Sequence, residues 1–170
     1  MELESFNFIL LNIGYAIHNA DWNYQNVNSP FARIYLVKEG KAKLHLQNKV
    51  QELTPKHLYM IPPYTPHSYE CDSYYSLYYI HIYEPSNSVC RLLEDYTFPT
   101  EVPAFKIDEF LVERLMNINP ERQLKEYDPS VYDNFHTLTE NIQKNQIQDP
   151  ADIFESQGII IQLFSRFMKR

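Results

Sequence analysis

Cysteine is scarce. Cys71 and Cys90 are the only two in 170 residues, too few for a disulfide framework and without a Cys-x-x-Cys spacing, so a reducing compartment fits best. Positive charge is short as well. The 15 Lys and Arg stand against 22 Asp and Glu, a net charge of −7 with a pI near 5.3, so no domain-wide positive field attracts phosphates and these residues alone are not expected to hold nucleic acid. No apolar run reaches membrane length: the stretch Phe6 to Ile17 is broken by Asn7, Asn12 and Gly14 and lacks a basic leader. The expected location is the cytoplasm. There is no internal repeat, charge block or low-complexity linker.

What is present is a 44% apolar chain with 14 Tyr and 10 Phe, long enough for one core with a helical appendage. Tyrosines concentrate in Tyr59 to Tyr83, which β-propensity and ligand stacking explain equally well. Up to about Pro103, turn signals alternate with period-2 runs, as in half-buried antiparallel strands. Arg33 to Glu39, then Gly40, then Ala42 to Gln47 reads as a β-hairpin. Asn48-Lys49 and Thr54-Pro55-Lys56 are further turns, and His57 to Ile61 a strand. Pro62, Pro63 and Pro66 require a loop or sheet edge, and Tyr75 to Tyr83 is the longest strand candidate.

Beyond Pro103 the period becomes helical. Ile107, Phe110, Leu111, Leu115 and Ile118 fall on one face, and Val131, Phe135, Leu138 and Ile142 on another. Asp128-Pro129 and Asp149-Pro150 each place a carboxylate at an N-cap and a proline at the first helical position. In the last helix Phe154, Ile160, Ile161, Phe164, Phe167 and Met168 form one stripe, Ile159 and Leu163 a second. A barrel covers one side of such a helix, so the other predicts a homodimer built on Ile159, Ile160, Leu163, Phe164 and Phe167; packing on the preceding helices is the alternative.

The segment Arg33 to Tyr83, with Arg-Ile-Tyr-Leu-Val-Lys-Glu-Gly-Lys-Ala-Lys-Leu, Leu-Thr-Pro-Lys-His-Leu-Tyr-Met-Ile-Pro-Pro-Tyr-Thr-Pro-His-Ser-Tyr and Tyr-Tyr-Ile-His-Ile, resembles the N-terminal cupin of AraC-type transcription regulators. The resemblance implies a mostly β fold, a cupin jelly-roll barrel over residues 1–103, followed by about three helices over 104–170 that link and dimerise. In such regulators the tail leads into two helix-turn-helix motifs. Nothing here resembles them, so a longer protein is expected, with DNA reached only through that further half. The family's usual Pro-Gly-Asp turn reads Pro55-Lys56-His57, which demands a type I turn or a strained lysine.

The metal signature of enzymatic cupins, a His-x-His pair with a following Glu and a later His, does not occur. His45, His57, His67 and His81 stand isolated, so no metal, no cofactor and no enzyme activity are expected. The resemblance turns the strand face carrying Tyr79 and His81 inward, puts His67 and Tyr69 on the pocket rim, and Arg33 with Tyr35 on the facing strand. These six are the candidate ligand contacts. For each a plainer role stays open: core packing for Tyr35, Tyr79 and His81, a loop stitch for His67, a solvated strand end for Arg33. Trp22 and Tyr24 form either a lid or an ordinary edge strand. Aromatic faces with phenols and imidazoles suit a sugar or a sugar acid, and bile acids, aromatic acids or another small metabolite fit nearly as well. The chain is therefore expected to sense a small effector, and the competing reading is a free-standing cupin enzyme of the epimerase or dioxygenase type.

Overall fold

The computed structural model describes residues 6–86, 91–146 and 148–168; Cys90, Lys169 and Arg170 lie outside them. Among the described residues eight strands run β1 (Ile9–Asn19), β2 (Ala32–Gly40), β3 (Ala42–Leu46), β4 (Val50–Leu53), β5 (His57–Ile61), β6 (His67–Glu70), β7 (Tyr74–Tyr83) and β8 (Glu101–Pro103). Short α1 (Leu92–Asp95) precedes β8, and α2 (Lys106–Ile118), α3 (Pro129–Tyr132), α4 (Phe135–Gln146) and α5 (Pro150–Ser165) follow. The strands pair antiparallel in two sheets, β1-β7-β2-β5-β8 and β4-β3-β6, facing each other as the walls of a cupin barrel. Helix and strand occur in about equal amounts rather than mostly strand.

The lone glycine is a corner, not a hairpin turn. β2 and β3 belong to different sheets; Gly40 takes φ +69°, and a Cβ there would collide with the Tyr74 carbonyl. The hairpin is instead β3–β4, closed at Asn48-Lys49 by the Leu46 amide donating to the Lys49 carbonyl at 2.9 Å. Lys56 follows Pro55 at φ +66°, the strained lysine of the two alternatives.

Alternation divides β1, β2, β5 and β7 between two cores. Outward-facing Ile34, Leu36, Leu58, Met60, Ile80 and Ile82 pack under α2 and α5; inward-facing Tyr35, Val37, Tyr59, Ile61, Leu77 and Tyr79 meet Leu44, Leu53 and Tyr69 of the smaller sheet. β1 joins this pattern through a bulge at Leu11, after which Asn12, Gly14 and Ala16 oppose His81, Tyr79 and Leu77.

The helices bury other faces than their periodicity suggested. In α2 the buried residues are Asp108, Val112 and Leu115, while Ile107 and Phe110 are over half exposed. The middle helix breaks at Asp133-Asn134, where the Asn134 side chain accepts from the Thr137 amide at 3.0 Å and starts α4 afresh. Its Phe135 is 83% exposed, and α4 is anchored by polar groups: the Asn145 amide donates to the Leu10 carbonyl at 2.9 Å, and Arg122 to the Asn141 carbonyl at 3.0 Å.

The expected dimer seam is corrected outright. Ile159, Ile160, Leu163, Phe164 and Phe167 are all buried within this one chain, because α5 lies where the five-stranded sheet meets α2 and residues of both stripes are covered there. Phe164 stacks on Phe8 at 4.8 Å. The ion pairs Asp108–Arg166 and Arg114–Glu155 set α2 and α5 antiparallel. What they leave outside is Ile107, Phe110, Phe154 and Ile161.

Candidate functional site

Inside the barrel, strand register places the candidate residues side by side. Arg33 opposes His81, and Tyr35 opposes Tyr79, across β2 and β7. From the other sheet, β6 brings His67 and Tyr69 toward them: the Tyr35 and Tyr69 hydroxyls are 2.7 Å apart and Tyr69 Oη lies 2.8 Å from His67 Nε2. His67 Nδ1 is 2.7 Å from the Thr65 carbonyl, which can only accept. That fixes the proton on Nδ1, so Nε2 accepts from Tyr69, and Tyr69 in turn accepts from Tyr35. His67 thus stitches its own loop and sits behind Tyr69 rather than on a rim.

Burial keeps the whole set in one charge state. It pushes His67 down to about 4, where the Thr65 hydrogen bond works against it, and carries His81 well below its ordinary value. The phenols of Tyr35, Tyr69 and Tyr79 are driven up, chiefly by desolvation. His81 Nδ1 donates to Asn12 Oδ1 at 3.2 Å. Arg33 is no solvated strand end: it is 1% exposed, and although burial works to lower its pKa, a guanidinium's ordinary value lies so far above neutral that it stays charged.

Tyr35, Tyr69, Tyr79 and His81 line one cavity, together with Leu77 and His18. Of the rest of its wall, only Trp22 was in view, as one of two alternatives. Trp22, on the turn after β1, folds in and stacks on Tyr69 at 4.5 Å and on His18 at 4.8 Å. Tyr24 takes the edge role instead, its carbonyl accepting from the Tyr69 amide at 2.8 Å. The strap of residues 123–133, which crosses from α2 toward α4, contributes Leu124, Tyr127 and Tyr132. The Tyr79 hydroxyl accepts from the Leu124 amide at 2.8 Å, and its ring lies so close over β1 that a Cβ on Gly14 would collide with it. The cavity left is ≈20 Å³, room for about one water. The strap residues carried no sequence signal, because an irregular segment has no period to read; Asp128-Pro129 announced only the helix start.

Among the described residues, no group of three or more His, Cys, Asp or Glu is placed to hold a metal ion, and no helix is long and apolar enough to cross a membrane. The arrangement suits noncovalent recognition: aromatic faces, hydroxyls and one buried cation.

Among solved structures, the chain is similar to a cupin superfamily protein from Desulfitobacterium hafniense, with 13% identity over 49% of this chain and 84% of that one and a TM-score of 0.40. A Cupin 2 conserved barrel domain protein from Salinispora arenicola matches at 11% identity over 45% and 74%, TM-score 0.37. Salicylate 1,2-dioxygenase from Pseudaminobacter salicylatoxidans matches at 14% identity over 41% of this chain but 20% of that one, TM-score 0.37. A comparison with curated protein sequences gives no match. The family pattern of the AraC-like ligand binding domain matches residues 12–164, taking in nearly all of the barrel, the strap and the helices, and the chain belongs to that family.

Proposed function

We propose that this chain is the effector-sensing and dimerisation part of a cytoplasmic bacterial transcription regulator and has no catalytic activity of its own. A small molecule occupies the barrel, rearranges the strap, and through α4 and α5 alters the geometry of DNA-binding halves supplied from outside these residues. One observation carries the reading: the segment that closes the cavity, residues 123–133, is the same segment that leads into α4. Filling the barrel and moving the helices are therefore one event, and a coupling of about 1–3 kcal/mol is enough to switch a regulator. Dimerisation would use the outer faces of α2 and α5. The competing cupin-enzyme reading finds no support in the donor set, since among the described residues no three His, Cys, Asp or Glu side chains converge as metal ligands would.

The test is a thermal-shift screen of the chain against sugars, sugar acids and other small metabolites, since a ligand at 100 times its Kd stabilises by about 2.7 kcal/mol. Compounds that raise Tm are expected to lose at least about tenfold in affinity, or 1.4 kcal/mol, in Tyr79→Ala, and to keep it in the surface control Phe135→Ala. Calorimetric affinities left unchanged by Tyr79→Ala in a protein that keeps its circular dichroism would put binding outside the barrel and end the proposal.

A further inference from the structure

The barrel interior holds a buried guanidinium whose pairing is incomplete. Arg33 offers five N–H donors in a rigid fork. Its Nη1 donates to Ser29 Oγ at 2.6 Å, and its Nη2 lies 3.5 Å from both the Tyr132 hydroxyl and an Asp133 carboxylate oxygen. Its Nε is buried without a partner. A well-made arginine–carboxylate pair is bidentate at about 2.7–2.9 Å. One long contact is a poor return for removing a cation from water.

That contact comes from outside the barrel. The ring of Tyr132 stacks on His81, centroids 5.3 Å apart and planes inclined by 23°. The next residue, Asp133, turns its carboxylate to the same guanidinium and takes the Ser29 hydroxyl. Two consecutive strap residues thus deliver an aromatic ring bearing a hydroxyl, and a carboxylate, to a wall built by β2 and β7.

We propose that Tyr132 and Asp133 are a tethered stand-in, and that the effector is a small aromatic carboxylate whose ring replaces Tyr132 on His81 and whose carboxylate replaces Asp133 on Arg33. The proposal rests on the sensor reading above and deepens it. It accounts for the filled cavity, because the space a ligand needs is the space those strap groups occupy. A neutral sugar would leave Arg33 without an anion once the strap moved away; a carboxylate reaching Nε and Nη2 together would pair it better than Asp133 does. On the strap's other side lies a cleft of ≈230 Å³ that has Tyr24, Val27, Pro129 and Asp133 among its lining residues. Displacing Asp133 moves the residue next to Asn134, whose side chain caps the start of α4.

The probe is 4-hydroxybenzoate, with 4-hydroxybenzamide as its uncharged counterpart, titrated calorimetrically at constant ionic strength into the whole chain. Asp133→Asn removes the internal competitor, so it is expected to bind the acid about 5- to 150-fold more tightly than the wild type does. The amide should gain nothing, and Asp133→Asn combined with Arg33→Met should lose the acid. Because Asp133→Asn strands a buried cation, hydrogen exchange of the wild type gives an independent reading: the acid should speed exchange at the Leu124 and Ser130 amides. Equal affinity of wild type and Asp133→Asn for the acid, preference for the amide, no binding to Asp133→Asn at millimolar acid, or added protection of the strap would each overturn the proposal. A neutral sugar that binds in a Tyr79-dependent manner while the acid does not would overturn this inference and leave the sensor reading standing.

Discussion

His18, His67 and His81 stand against the barrel's aromatic rings with their charge suppressed by burial, His18 and His67 to about 4 and His81 well below its usual value. The unfolded chain takes up these protons near pH 6.5, the folded one near 4 at His18 and His67 and well below the ordinary value at His81, so the unfolded state binds more protons below pH 6.5. Stability is therefore complete above about pH 6.5 and is lost as pH falls toward 4, by roughly 1–2 kcal/mol per histidine between pH 7 and 5. Urea midpoints at the two pH values measure the loss, and His18→Phe, which keeps the stack on Trp22, should reduce it by one histidine's share; an equal loss in that variant would contradict the assignment. Much of this set was legible in the sequence. Strand period 2 puts Tyr79 and His81 on one face of β7, the family resemblance turns that face and Tyr35 inward, and parity holds from Ala32 to Val37, ahead of the register shift at Lys38. His18 was not legible, since the bulge at Leu11 resets the parity of β1 and nothing in the residue types marks it. Nor was the Arg33–Asp133 pair, which closes across 100 residues.

Helix starts were legible where their chemistry is local. Asp128 and Asp149 accept from the Ser130 and Ala151 amides at 2.9 and 2.8 Å, each with a proline next in sequence, as their spacing predicts. Helix faces were not, because periodicity says that a stripe exists and not which neighbour covers it. In α2 the decisive buried residue is polar. Asp108, fully buried, accepts from the Phe105 amide at 2.8 Å and pairs with Arg166 Nε at 2.7 Å, so one carboxylate both starts α2 and locks the end of α5 against it. Asp108→Ala removes a cap and leaves a half-buried cation unpaired, and should cost about 3–5 kcal/mol. Chemical denaturation of Asp108→Ala, Arg166→Ala and the double variant reads it: the double should cost less than the two singles together, and simple additivity would mean that the two side chains do not act as a pair.

At the level of the whole molecule, the sequence could not show which strands share a sheet or where the helices lie, and the surface open to a second copy follows from both. Since α5 spends Ile160, Leu163 and Phe164 on its own barrel, the proposed dimer would use the outer faces of α2 and α5, where Phe110 and Phe154 are 54% and 78% exposed. The two helices run antiparallel, and each presents one of these aromatic groups to solvent. A two-fold interface repeats every contact, and a charge introduced at Phe154 is therefore desolvated twice in a dimer and not at all in a monomer. Phe154→Glu should shift the chain from dimer to monomer in sedimentation velocity while changing monomer stability by less than about 0.5 kcal/mol, as surface substitutions do. Ile160→Ala, at a side chain with no exposed surface, should instead lower stability by about 2–5 kcal/mol without first dissociating the dimer. If Phe154→Glu and Phe110→Glu both remain dimeric, association does not run through α2 and α5, and the effector's effect on α4 must reach the DNA-binding halves by another surface.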